Sequence, residues 1–208
     1  MPTTNPLFMF HDIDNWRVGS CARTVSALAP DSGCKLSYID LTSDLYPLAL
    51  KTAFDFISRN HNGRYRDRTM MTIRRWSERV QSTTPASRLA EYHNDPDRRF
   101  PIAMIAEVPF SYDENSESKN GGVVGINLGI DDGDGGYRGI LCTSKKFRQK
   151  NIGTVLVSSM GNVSTPGHID YYAHNQNFNA ARLAAKLSYT PISINSESGV
   201  VQYRMTEV

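Results

Sequence analysis

The chain has little cysteine: three residues in 208, at Cys21, Cys34 and Cys142. An odd, sparse set without CxxC spacing supplies neither a disulfide framework nor a zinc site, and reads as reduced thiols of a cytoplasmic protein. Long apolar runs are also lacking, and none approaches the roughly 18 residues that a membrane span needs. The opening MPTTNPLFMFHDIDNW has no basic stretch followed by an apolar one, so no signal peptide is expected. Nor is there an excess of one charge. With 23 Lys+Arg against 21 Asp+Glu the net charge is +2, which gives no electrostatic case for a dedicated nucleic-acid binder. A G-x-S-x-G elbow, a Walker motif and a Rossmann fingerprint are all missing. His11, Asp12 and Asp14 find no second cluster to complete a metal site. The turn Asp131–Gly136 lacks the alternating ligands and closing Glu of a calcium loop, so no metal is expected.

What is present is a globular composition, 39% hydrophobic and 21% charged. Residues 1–35 are broken by Pro2, Pro6, Gly19, Pro30 and Gly33 and read as an N-terminal extension. Residues 36–208 read as one domain. Within it, Leu36–Ile39 is a strand candidate, and a helix capped at Ser43 or Asp44 runs to Gly63. The arginine-rich stretch 64–99 holds Met70, Ile73, Trp76 and Val80 at helical spacing. From Phe100 the pattern turns to strands: Pro101–Val108, Gly122–Leu128 and Tyr137–Thr143, with 113–120 as a loop and 131–136 as a turn. A helix at 152–160, a strand at 169–173, a helix at 179–187 and strands at 191–194 and 200–205 follow. The order β-α-α-β-β-β-α-β-α-β-β makes a mixed, mostly antiparallel α/β sheet of about six to seven strands flanked by helices.

The informative stretch is Phe147-Arg148-Gln149-Lys150-Asn151-Ile152-Gly153-Thr154, where a strand gives way to a short basic loop and a helix start. Unpaired amides at such a start, with the helix dipole, make an anion site, and Gly153 lets a ligand approach closely. Arg148, Lys145, Lys146 and Lys150 add positive charge for phosphates.

This stretch resembles the GNAT acetyltransferase signature Gln/Arg-x-x-Gly-x-Gly/Ala. It departs at Asn151, where Gly is usual, and Asn tolerates the same left-handed backbone. Downstream, Asn177, Ala180, Leu183, Lys186, Leu187 and Tyr189 resemble the family's Asn-x-x-Ala-x-x-Leu-Tyr-x-Lys-Leu-Gly-Phe. The resemblance implies acetyl-CoA as co-substrate, in an opening between strands four and five. Leu141, Cys142 and Thr143 would line its pantetheine arm. The amides from Gln149 through Lys150, Asn151, Ile152 and Gly153 to Thr154 would hold its pyrophosphate, and Asn177 would contact the coenzyme.

Chemistry is less determined, because Ala184 stands where the family often has a tyrosine proton donor. Tyr172 as replacement donor, Glu107 as a base through water, and a chain that binds acetyl-CoA but transfers slowly all remain open. His174 is a further candidate base, and Cys142 reads as a small buried residue more than an acyl relay. The expected activity is N-acetyl transfer to an unidentified amine of a protein or small molecule. The arginines of 64–99 favour an acidic acceptor. A catalytically weak acetyl-CoA-binding protein acting through a macromolecular partner is the alternative. A homodimer is admitted; a membrane partner is not expected.

Overall fold

The computed structural model describes residues 35–61, 66–95, 100–113, 118–131, 137–163 and 168–206. Residues 1–34 of the expected N-terminal extension, with Cys21, Cys34 and the His11 cluster, lie outside the described residues, while Lys35 already belongs to the first strand. Among the described residues seven strands form one sheet: β1 (Lys35–Ile39), β2 (Ile102–Asp113), β3 (Ser118–Asp131), β4 (Tyr137–Thr143), β5 (His168–His174), β6 (Thr190–Ile194) and β7 (Val200–Thr206). Their spatial order is β1-β2-β3-β4-β5-β7-β6. Every neighbouring pair is antiparallel except β4 and β5, which run parallel. This is the mixed, mostly antiparallel α/β sheet that the sequence predicts.

Among the described residues five helices flank the sheet: α1 (Tyr46–Asn60), α2 (Arg66–Val80), α3 (Pro85–Asn94), α4 (Ile152–Val163) and α5 (Phe178–Lys186). The stretch 64–99 holds two helices where the spacing of its apolar residues marks one. Thr84 starts the second with a reciprocal capping box, its side chain accepting from the Ser87 amide while Ser87 Oγ accepts from the Thr84 amide. Pro85 then sits where a missing N–H costs nothing. The expected loop 113–120 is narrower, since Asp113 pairs with Ser118 and both belong to strands. Asp131 likewise pairs with Tyr137, and 132–136 of the expected turn lie outside the described residues.

Strand alternation divides the core between two faces of the sheet. Ile39, Ala103, Ile105, Ile126, Leu128 and Cys142 pack under α1 and α2. Tyr38, Met104, Ala106, Leu141, Tyr171 and Tyr203 face the other way, onto Ile152 and Leu156 of α4 and Ala184 at the end of α5. Gly125 sets the distance on this second face. A Cβ there would lie 2.7 Å from both Ile152 Cγ2 and Leu156 Cδ1, so only glycine admits α4 this close to β3.

Arginine does structural work in the helical layer. Arg88 is fully buried. It donates to the carbonyls of Leu41 (2.7 Å), Ser43 (2.6 Å) and Thr83 (2.8 Å), and its guanidinium lies 5.4 Å from the Tyr46 ring. Arg79 pairs with Glu91 at 2.6 Å, tying α2 to α3, and Arg74 pairs with Glu78 one turn on.

Candidate functional site

β4 and β5 share a single register pair, Arg138 with Asp170, whereas the β3–β4 ladder runs through seven. Past that pair the two strands part. The opening continues into a cleft of about 860 Å3, walled by β4 on one side and by β5 and α5 on the other. Leu141, Cys142 and Thr143 line it from the strand that has lost its neighbour. The reason is local: α4 leaves the end of β4 through the loop and packs beside the gap, while α5 departs from β5 on the same face.

The loop is shaped by two left-handed residues, Gln149 at φ 65° and Asn151 at φ 62°. A single 3-10 turn, Lys145–Phe147, precedes them. The first bond of α4 runs from the Val155 amide to the Asn151 carbonyl, so Asn151 is the residue flanking the helix. The amides of Ile152, Gly153 and Thr154 therefore begin the helix with no partner inside it. Arg148, Gln149, Asn151, Ile152, Gly153 and Thr154 all line the cleft. Three cations, Arg148, Arg182 and Lys186, stand among the described lining residues, and no Asp or Glu does. Such a wall suits an anion.

The remaining sequence candidates divide. Tyr172, His174 and Asn177 line the cleft. Asn177 also caps α5, its Oδ1 accepting from the Ala180 amide at 3.2 Å. His174 Nδ1 accepts from the Gln176 amide at 3.2 Å, so its lone pair there is engaged with the turn. Lys150 does not line the cleft; its Nζ lies 5.2 Å from the Phe147 ring. Glu107 is a correction. It sits buried on β2 between Lys35 and Val123, beside a bulge, and does not line the cleft. Two strands separate it from the gap, so it cannot act there through one water.

Tyr172 and Asp170 point to one face of β5. Asp170 is buried, accepts both Arg204 Nε (2.7 Å) and Nη2 (2.9 Å), and takes a further bond from Gln202 at 2.6 Å. The Tyr172 hydroxyl lies 3.4 Å from the same carboxylate. Tyr171 points to the opposite face, edge-on to Tyr189, and also lines the cleft. Sequence reasoning missed Tyr171, and with it Asn60, His61 and Thr69 from the α1–α2 side. It also missed the cationic wall of Arg182 and Lys186 on α5. Conversely, none of the described arginines of 66–95 lines the cleft, which that segment reaches through Thr69.

Burial pushes the Cys142 thiol up to about 11, against a lowering pull from Arg148. It is protonated at neutral pH and unsuited to acyl relay. Burial, reinforced by Tyr203, raises the Tyr171 phenol to about 12, and burial raises Tyr46 and Tyr189 further. Ordinary thiol and phenol values of 9.0 and 10.0 apply to the unfolded chain. As pH rises past them the unfolded state loses protons that the folded state keeps, so stability falls with rising pH. A melting series between about pH 8 and pH 11 should show Tm declining steadily, and a flat profile would contradict the burial of these groups. His61 moves the other way: burial, then the Arg66 charge, hold its imidazole below the usual histidine range.

No family model and no curated protein matches the sequence. Among solved structures, the PaiA N-acetyltransferase of Thermoplasma acidophilum in complex with coenzyme A is similar at 13% identity and TM-score 0.49, over 84% of this chain and 99% of that one. The N-acetyltransferase PseH of Campylobacter jejuni is similar at 12% identity and TM-score 0.48, over 83% of this chain and 99% of that one. A spermidine N-acetyltransferase of Vibrio cholerae is similar at 11% identity and TM-score 0.49, over 85% and 95%.

Proposed function

We propose that this chain is an acetyl-CoA-dependent N-acetyltransferase of the GNAT type. The observation that carries the reading is the coincidence of two features: the parting of β4 from β5 after one pair, and an α4 whose first amides open onto the resulting cleft. The first offers unpaired backbone to an extended, amide-bearing arm; the second offers donors and a dipole to its pyrophosphate. The loop motif and the Asn177–Tyr189 motif support the same reading from the sequence.

The acceptor amine enters from the α1–α2 side, where Asn60, His61 and Thr69 border the cleft. In the transfer, its nitrogen bonds to the thioester carbonyl carbon and the C–S bond breaks. The amine must surrender a proton and the departing sulfur must gain one. His61, kept neutral by burial, suits the first task. For the second, Tyr171 replaces Tyr172, because it lies on the sheet face shared with α4 and the anion loop. Its phenol is protonated at neutral pH, so the proton is present, while burial makes it a weaker acid than an ordinary tyrosine. Ala184, buried in the same cluster, does not line the cleft and contributes no acid.

Calorimetry with coenzyme A and mass spectrometry of acetyl-CoA mixtures with candidate amines test the reading; a protein that binds neither coenzyme A nor acetyl-CoA sinks it. Tight binding without transfer to any amine would favour the binding-protein alternative. With an active acceptor in hand, Tyr171→Phe should lower kcat about a hundredfold with KM for acetyl-CoA little changed, and Tyr172→Phe should cost much less. The reverse order would return the role to Tyr172. The arginine-rich segment gives no reason to prefer an acidic acceptor, since none of its described arginines lines the cleft.

A further inference from the structure

Asn151 flanks α4 at the position where an asparagine side chain ordinarily folds back to cap the first amides. Here it does not. Its backbone is left-handed, and its Oδ1 accepts a 2.6 Å hydrogen bond from Lys186 Nζ, which reaches across from the last turn of α5. Both residues line the cleft, thirty-five positions apart in the chain.

We propose that Lys186 is a positioning residue for anion binding: it holds Asn151 away from the helix start, so that the Ile152–Thr154 amides stay open to a pyrophosphate. This rests on the coenzyme A reading only for the identity of the ligand; the anion class follows from the loop itself. An ammonium has three donors, and one is spent on Asn151. Lys186 itself lines the cleft, so it also adds positive charge there for the anion. The bond also pins α5 to the loop, which keeps the two walls of the cleft in register.

Without Lys186, Asn151 regains the option of an extended backbone and a bond to its own helix, which caps α4 and closes the site. Lys186→Met should therefore leave the melting temperature unchanged or slightly raised while binding weakens. A merely structural strut would lower both.

The experiment is titration calorimetry with coenzyme A and, separately, with inorganic pyrophosphate, on wild type, Lys186→Met, Lys186→Arg, Asn151→Gly and the Lys186→Met/Asn151→Gly pair. Loss of a charge-assisted hydrogen bond and of the open loop should weaken coenzyme A binding at least about tenfold in Lys186→Met. Lys186→Arg should recover most of it. Glycine keeps the left-handed backbone and has no side chain to fall back, so Asn151→Gly should bind within about threefold of wild type. In that background Lys186→Met should lose only the part of its effect due to charge. Wild-type affinity in Lys186→Met, or an equal loss in both backgrounds, would overturn the positioning role. A wild-type protein that binds pyrophosphate through Lys186 but not coenzyme A would remove the acetyltransferase reading and leave this one standing; binding of neither would remove both.

Discussion

Arg88→Met should destabilise the protein by at least about 3 kcal/mol, the largest loss expected from one substitution in the helical layer. The methionine fills similar space, so the cost is not a cavity. It is the desertion of part-buried carbonyls that have the guanidinium as donor, Leu41 and Thr83 foremost, since Ser43 keeps the Tyr46 amide as a second donor. Each orphaned acceptor carries a desolvation penalty of about 1 to 3 kcal/mol, and relaxation or water entry recovers part of it. In a chain of this size the corresponding drop in Tm is about 6 to 12 °C. Denaturant unfolding followed by circular dichroism would read it, and a loss under about 1 kcal/mol would mean that the network does not hold β1, α1 and α3 together. Coenzyme A affinity measured well below the lowered Tm should be unchanged, because Arg88 is remote from the cleft.

Gly153→Leu should do the opposite, sparing the fold and damaging binding. A Cβ at Gly153 would meet Leu141 Cδ2 at 3.6 Å, Leu183 Cδ2 at 3.8 Å and Thr143 Cγ2 at 3.8 Å, all ordinary contacts. The folded protein therefore accepts a Cβ, as the Gly/Ala position of the motif implies, and glycine's entropic cost in a helix, up to about 1 kcal/mol, is relieved. The three side chains it meets all line the cleft, so the isopropyl group that leucine adds beyond the Cβ projects into the passage between β4 and α5. Coenzyme A affinity should fall at least about tenfold while Tm holds or rises. Unchanged affinity would show that the ligand does not pass Gly153, and a large fall in Tm would show that the glycine serves packing instead.

The two motifs were legible because each combines short-range chemistry with a local element. The left-handed residue at Asn151 and the helix start at Ile152 follow from residue type alone, whereas the capping role of Asn177 came only with the structure. The break between α2 and α3 was written in Thr84-Pro85 but masked by the continuing run of arginines and helix formers. What the sequence hides is register. Tyr171 and Tyr172 are indistinguishable until the pairing of β5 with β7 assigns each to a face of the sheet. Glu107 looked like a plausible base on a strand, and only the strand order places it two strands from the gap. The arginines read as one basic platform, yet ion pairs and backbone carbonyls claim Arg74, Arg79 and Arg88 separately. Lys186 matched a family position without disclosing what it does, because its partner lies thirty-five residues away.

The lone pair joining β4 to β5 has a consequence for the motions of the empty protein. A β-strand flanked on both sides exchanges its amide hydrogens slowly; one whose neighbour has left offers alternate amides to water. Those of residues 139–143 that face the gap should exchange with deuterium far faster than the β3-facing ones of the same strand. A ligand arm laid along β4 would take the place of the departed strand, and the sheet would then behave as though it were continuous. Deuterium uptake by this one short peptide thus reports occupancy of the cleft before any acceptor is known.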